Sequence, residues 1–509
     1  MINPNKKEEI MEAIKLDFDN FLDSLEDGER ERINKFFAEF DLHFVLSKSE
    51  KRKFRYDFEC AIMTLTARGA TVEEALSRIE LSNLGGFYAR PSVMWFSLDD
   101  AAKIYPVSME HGRQMVFRLS VYLKEDVLPE ILQMALNFTI KRFPNFATTL
   151  KKGFFWHYFD SVKKHFAIKE ESDAPCQPIK VSMSGSTSFR VTYCKNRISA
   201  EFFHALTDGT GGITFLKSLT AEYLRLLGVQ YSGGEECDLW NINETPMKEE
   251  FENSFLKVEK AKNASGFVDK AALQMNGRLT RRKPCRILHF NMDSDKLLSV
   301  ARSYGTTVTG YMLSQMFLAT SAACDELTGD IHIQVPVNMR KYYPSRTMRN
   351  FSMYCGVRIP IDKVLGREEL IREISSQLAE KSKKEKMHEM ITAAVGIVSA
   401  IRFIPLLIKQ PVAKMVYGFL GEKVYTTTFS NLGVVKMPSE LTPHIEKMDF
   451  CLGAQMTNRL ACTAITFGST STFTVSKMTQ DPTFEEKMYK LLVADGLEVV
   501  VEGSEFYAR

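Results

Sequence analysis

Nowhere in the sequence do two cysteines approach the C-x-x-C spacing of zinc or dithiol redox sites. The nine cysteines are scattered and odd in number, and they read as reduced thiols of a cytoplasmic protein. Excess charge of one sign is also missing: 66 Lys and Arg stand against 63 Asp and Glu, a net +3. That balance is too even for phosphate-backbone binding, so nucleic acid is excluded as the main partner. No apolar run is long enough to span a bilayer, because the oiliest stretch, Ile391 to Ile408, is broken by Arg402 and Pro405 and followed by Pro411. The opening Met1-Ile-Asn-Pro-Asn-Lys-Lys-Glu-Glu-Ile10 places carboxylates where a secretory signal has its apolar core, which argues against export. Phosphate loops, Gly-x-Ser-x-Gly elbows, metal-ligand clusters and dinucleotide fingerprints are all absent, so hydrolase, kinase and dehydrogenase readings lack support and no bound cofactor or metal is expected.

What is there is an ordinary globular composition, 45% hydrophobic and 25% charged over 509 residues, enough for two or three domains. Residues 1–90 read as a helical N-terminal extension, from the spacing of Ile14, Phe18, Phe21 and Leu22, then Phe36, Phe37 and Phe40, then Phe58, Ile62 and Leu65. Phe36, Phe37, Phe40, Phe44 and Phe54 offer more apolar area than a free surface leaves exposed, which favours packing on the rest of the chain over docking a partner. Thr71-Val-Glu-Glu74 reads as a capping box.

Residues 91–245 then alternate strand-length apolar runs with amphipathic helices, residues 246–283 form a polar linker with a short helical piece near Phe251 to Ala261, and the alternation returns over 284–509. The charged stretch Arg367 to Lys386 reads as one helix. The fold class is α/β: two pseudo-duplicated halves with a cleft between them. Amphipathic core helices explain the oily stretch, continued by Val412 to Leu420, more simply than an acyl groove or a membrane contact. The basic run Arg278 to Lys283 is a solvated linker face or a phosphate contact.

One string combines a base, an acid and glycines at a strand-to-helix junction: Phe203-His204-Ala-Leu-Thr-Asp208-Gly209-Thr-Gly211-Gly212. The strand Ile198 to Phe203 leaves His204 at its end, and an imidazole with an unperturbed pKa of about 6.5 is a competent base near neutrality. Two readings stand for these residues. His204 is a satisfied core histidine and Asp208 a helix cap, or both belong to an active site.

The string resembles the His-x-x-x-Asp-Gly signature of the coenzyme A-dependent acyltransferase superfamily, with its chloramphenicol acetyltransferase-like and condensation-domain members. Further segments resemble the bacterial alcohol acetyltransferase-like branch: Leu98-Asp-Asp-Ala-Ala-Lys-Ile-Tyr-Pro106, Lys141 to Phe146, Gly153 to His157, Pro336 to Arg340 with Arg349-Asn-Phe351, and Phe429-Ser-Asn-Leu-Gly433. The resemblance runs from about residue 95 to 505.

It implies a chloramphenicol acetyltransferase-like fold and acyl transfer from a thioester, acyl-CoA, to an alcohol or amine. His204 is then the general base, and Asp208 a structural residue paired with Arg340 from the other half. Ser430 is the first choice for stabilising the oxyanion, ahead of Asn431 and Thr428, and Gly209 and Asn431 are substrate-binding positions. Each has its plainer alternative: Arg340 a solvated cation at a strand end, and Asn431 with Gly433 a surface turn. The expected partners are acyl-CoA and a small-molecule acceptor. An acyl carrier protein is the alternative donor, although Phe203 stands where condensation domains carry a second histidine. A non-catalytic lipid or polyketide binder is the remaining alternative.

Overall fold

The computed structural model describes residues 17–88, 95–103, 105–106, 115–179, 186–232, 234–263, 269–281, 284–409, 422–453 and 458–504. After a helical stretch over residues 17–23 come three N-terminal helices, Asp27–His43, Lys48–Ala67 and Val72–Arg78. Ser47 caps the second through Glu50 N, and Thr71 with Glu74 closes a reciprocal capping box on the third. Their phenylalanines meet as ring pairs, Phe40 with Phe58 at 5.5 Å and Phe44 with Phe54 at 5.2 Å. The cluster does not stop at the extension. Phe58 touches Phe138 of the helix Pro129–Thr139 at 6.2 Å, and Asn137 of that helix donates to Asp57 over 2.7 Å. One continuous apolar core therefore holds the N-terminal helices to the body.

The body has two large sheets. The first runs in the order Ile445–Leu452, Val116–Leu123, Arg197–Phe203, Phe189–Cys194 and Lys169–Glu170. Alternation along Val116–Leu123 gives this sheet two different faces. Phe117, Leu119 and Val121 join the apolar core. Arg118 and Tyr122 lie on the opposite face, where Arg118 pairs with Glu171 at 2.6 Å and the Tyr122 hydroxyl donates to Asp449 at 2.7 Å. From the second sheet His289 approaches Asp449 at 3.6 Å, so the seam between the sheets is polar here, beside a small apolar cluster of Val116, Ile287 and Cys451.

The second sheet has seven strands, in the order Ser352–Pro360, Asp330–Asn338, Thr427–Val435, Leu460–Phe467, Thr470–Lys477, Arg286–Asp293 and Val500–Gly503. Helices Val308–Ala322 and Thr483–Ala494 share a core with it through Met312, Phe317, Phe484 and Met488. A third sheet, of Trp95–Ser97, His157–Ser161 and Thr148–Lys152, adds Leu150 and Phe159 to the core of the first. By chain order Ile445–Leu452 belongs to the second half, yet it pairs antiparallel with Val116–Leu123 of the first. The chain thus crosses over after Val435, and Phe450 meets Phe117 at 6.2 Å.

Three sequence readings are corrected. The stretch 367–386 is two helices, Arg367–Lys381 and Lys384–Ala400, because Lys383 turns extended and the Tyr342 hydroxyl takes up the carbonyl of Ser382. The oily stretch is mostly not core: Lys384–Ala400 buries Met387, Met390 and Ile391, whereas Ile397, Phe403, Ile404, Leu407 and Ile408 are exposed. Its proposed continuation, Val412 to Leu420, lies outside the described residues. The linker's helical piece is a pair of 3-10 turns, Lys248–Phe251 and Ser254–Lys257. Of the basic run, Arg278 and Arg281 are exposed, while Arg282 and Lys283 lie outside the described residues. All nine cysteines are free. Among the described residues no helix is long and apolar enough to cross a membrane, and no group of His, Cys, Asp and Glu could hold a metal ion.

Candidate active site

The strand Arg197–Phe203 ends by placing His204 in the turn before the helix Gly209–Leu226. The backbone N–H of His204 donates to Met115 O at 2.8 Å, which ties the turn to the neighbouring strand. Asp208 is the N-cap of the helix, its Oδ1 accepting from Gly211 N at 3.1 Å. The glycines serve close approach. A Cβ on Gly211 would stand 2.1 Å from Thr207 Oγ1 and 2.5 Å from Met348 O, and one on Gly209 would stand 2.7 Å from Leu432 Cδ2.

Asp208 also reaches the second half. Arg340 donates to it twice, Nη1 to Oδ2 at 2.8 Å and Nη2 to Oδ1 at 3.3 Å, and Phe351 N donates to Oδ2 at 2.9 Å. The guanidinium also donates to Thr347 O and Arg349 O, each at 2.8 Å, and to Asn338 Oδ1 at 3.3 Å. Arg340 is therefore no solvated strand-end cation. It stitches the His204 turn to the loop 347–351, helped by Thr207 donating to Met348 O at 2.6 Å and Asn338 donating to Thr210 at 3.2 Å.

That loop is also held from the linker. Met348 N donates to Glu250 O at 2.8 Å, and the Glu250 carboxylate makes a fully buried, two-pronged pair with Arg142 at 2.6 and 2.8 Å. The linker reading gave Glu250 no such role. A single buried glutamate in an acidic stretch leaves no periodic signal.

The imidazole of His204 lies between the halves. Tyr105 stacks on it at 4.9 Å with the ring planes 24° apart, and Phe117 meets its edge at 5.1 Å. Nδ1 is 3.0 Å from Asn350 Oδ1, and Nε2 has no hydrogen-bond partner among the described residues. Burial holds its pKa below the ordinary histidine value, partly opposed by its own backbone, the charge of Asp208 and the bond to Asn350. The ring is thus neutral at pH 7, the form a general base requires.

Behind Asn350 stands Asp99. Asn350 Nδ2 is 3.4 Å from Asp99 Oδ2, Ala102 N donates to Asp99 Oδ1 at 2.7 Å, and Arg349 Nε lies 3.8 Å from Oδ2. Burial pushes the Asp99 carboxyl up to about 6, against the opposing charge of Arg349. Asp99, Tyr105, Arg349 and Asn350 all fall in segments that carried the family resemblance, yet no local pattern in the sequence assigned them to His204.

Ser430 and Asn431 sit on the crossing strand Thr427–Val435. Ser430 is half-buried, opposite Thr463 in register, and its hydroxyl has no partner among the described residues. Two residues on, Leu432 packs over Gly209, so the strand does pass beside the His204 turn. Asn431 is engaged elsewhere: its amide donates to Thr309 Oγ1 at 3.0 Å and its carbonyl accepts from Gly433 N at 2.8 Å, at a register shift where Gly433 takes a φ of +74°. The segment is a bulged interior strand, not a surface turn. Thr428 donates to Gln334 at 3.0 Å. A small apolar cavity of about 100 Å³ opens beside Asn431 and Val434, lined by Met292, Met312 and Phe473.

No family model matches the chain, and no curated protein matches it in sequence. Solved structures do share its fold. The trichothecene 15-O-acetyltransferase TRI3 from Fusarium sporotrichioides superposes with a TM-score of 0.52 at 11% identity, over 79% of this chain and 95% of that one. F. graminearum TRI101, solved with coenzyme A and T-2 mycotoxin, gives 0.54 at 9% identity, over 80% and 100%. The epimerization domain from the third module of tyrocidine synthetase B gives 0.50 at 13%, over 79% and 96%. The α/β fold is thus the one found in these acetyltransferases and this epimerization domain.

Proposed function

We propose that this protein is an acyltransferase that moves an acyl group from the thioester of an acyl-CoA to a hydroxyl or amine. The observation that carries the reading is the state of His204: a neutral imidazole at the seam of the two halves, held by Nδ1 and unbonded at Nε2. In the reaction Nε2 takes the proton of the acceptor as its oxygen or nitrogen attacks the thioester carbon. The tetrahedral intermediate collapses by breaking the carbon–sulfur bond, and the imidazolium returns the proton to the leaving thiolate, giving free coenzyme A.

Asp208 does not relay charge in this scheme. Its four hydrogen bonds fix the turn that carries the base. Ser430 is our choice for the oxyanion donor, since it stands on the same strand as Leu432 and has a hydroxyl free to donate. One such donor is typically worth about 2.7–4 kcal/mol of barrier. Gly209 borders the site, where an added Cβ would meet only the tip of Leu432, and the nine free thiols suit a reducing, cytoplasmic setting.

The test is a release assay for free thiol, with acyl-CoAs of increasing length against pooled alcohols and amines, run in parallel with an acylated carrier protein as donor. Turnover with acyl-CoA supports the reading. Turnover confined to the carrier form would replace the donor, and no acyl transfer with either would reject it.

A further inference from the structure

The carboxylate of the motif does not orient the base. Both Asp208 oxygens are taken up by Arg340, Gly211 N and Phe351 N, and none of its hydrogen bonds goes to the imidazole. Besides the polar pull of its own backbone, the ring is held by Asn350, and Asn350 by Asp99.

The order of atoms along this chain decides where the proton sits. Asp99 Oδ2, as a carboxylate oxygen, only accepts, so the atom of Asn350 that faces it at 3.4 Å is the amide nitrogen. The other end of the carboxamide, facing His204 at 3.0 Å, is then the carbonyl oxygen, which also only accepts. Nδ1 must therefore carry the proton, which leaves the lone pair on Nε2. If the carboxamide turned over, its NH₂ would face Nδ1, the proton would move to Nε2, and the nitrogen that needs to be a base would be a donor.

The anchor is well built. Asp99 and Asn350 are each 1% exposed, so water does not compete for their polar atoms. Arg349 keeps a positive charge 3.8 Å from Asp99 while donating to Ser97 O at 2.6 Å and Phe251 O at 3.1 Å, so it stays fixed to the backbone. The neighbouring acid is neutralised separately, Asp100 pairing with Lys103 at 2.7 Å. A carboxyl raised to about 6 is still ionised at pH 7.5, the form that accepts from Asn350. The stacked Tyr105 restricts tilting of the ring.

We propose that Asn350 and Asp99 are positioning residues that hold His204 in its Nδ1–H tautomer and so keep Nε2 as the unprotonated nitrogen. This deepens the acyltransferase reading by saying how the base is prepared, but the tautomer itself needs no substrate to be observed.

The experiment is 15N NMR of the full chain labelled at histidine, at pH 7.5, with His204 among the nine histidines identified by its loss in His204→Gln. Three variants of similar shape accompany the wild type: Asp99→Asn, Asn350→Leu and Asn350→Asp. Wild type should show Nδ1 protonated and Nε2 bare. Asp99→Asn frees the carboxamide to turn, and Asn350→Leu removes it, so both should give a mixed or Nε2–H tautomer. Asn350→Asp, which still presents an acceptor to Nδ1, should retain the wild-type pattern. In the thiol-release assay at pH 7.5, Asp99→Asn and Asn350→Leu should lower kcat about 10- to 100-fold with the KM for acyl-CoA within twofold, and Asn350→Asp should recover part of that loss. A wild-type Nε2–H tautomer, or a pattern unmoved in both Asp99→Asn and Asn350→Leu, overturns the proposal. A protein with the expected tautomers and no acyl transfer would refute the proposed function alone.

Discussion

Asp208 and Arg340, 132 residues apart in the chain, meet through two hydrogen bonds of 2.8 and 3.3 Å and join the turn after one sheet to the loop before another strand of the second sheet. Both side chains are largely buried, at 4% and 12% exposure, so neither charge has water to fall back on. Breaking such a pair from one side leaves an uncompensated ion.

Asp208→Ala should therefore cost about 3–5 kcal/mol of stability, the loss for cutting a buried pair, with the missing helix cap included in the same measurement. Urea unfolding reads it. Arg340→Lys keeps the charge but not the fork that also serves Thr347 O and Arg349 O, and it should lower kcat at least 10-fold with a smaller stability loss. A midpoint unchanged in both variants would show the pair to be incidental.

The glycines of the turn differ in what surrounds them. Gly211→Ala drives a Cβ into the backbone carbonyl of Met348 and the hydroxyl of Thr207, and it should destabilise the protein by about 1–3 kcal/mol and disturb the base. Gly209→Ala meets only the tip of Leu432, a side chain that can move, and should be milder. Equal unfolding midpoints for the two would contradict this packing.

The N-terminal helices share the core of the body, so damage there should be felt globally. Phe58→Ala removes a fully buried ring that touches Phe36, Phe40 and Phe138, and should cost about 3–5 kcal/mol in one cooperative transition. A separate early transition, with the body unaffected, would mean that the extension folds on its own.

Burial sets the pH dependence. The charged form of His204 is disfavoured, so its pKa lies below 6.5. A general base works as the neutral ring. Activity should thus be at its plateau at pH 7 and fall only as pH drops through that lowered value and the ring takes up a proton. A profile of kcat/KM against pH that is still rising between 7 and 8 would point to a different base.

The legible parts of this molecule were local. Strand, turn, cap and helix follow one another within Ile198 to Leu227, and the Thr71 capping box needs four residues. The pairing of Arg340 with Asp208 came only from the family resemblance, because spacing says nothing about a partner 132 residues away. Asn350 and Asp99 were illegible for the same reason: their bond joins loops 251 residues apart, and each looks like an ordinary loop residue. The oily stretch after Ala400 misled because hydropathy does not say which way a segment faces, and Phe403 and Leu407 lie on the outside. The break at Ser382 depends on Tyr342, forty residues upstream, and no window over the helix contains it.

The central claim is that Nε2 of His204 takes the acceptor's proton, and its most direct measurement is the rate of thiol release from acyl-CoA by His204→Ala beside wild type, at pH 7.5 with the best acceptor. The account predicts a folded variant with unfolding within about 1 kcal/mol of wild type and turnover reduced at least 100-fold, within the range of a lost general base. A variant that keeps a near-native rate would contradict it.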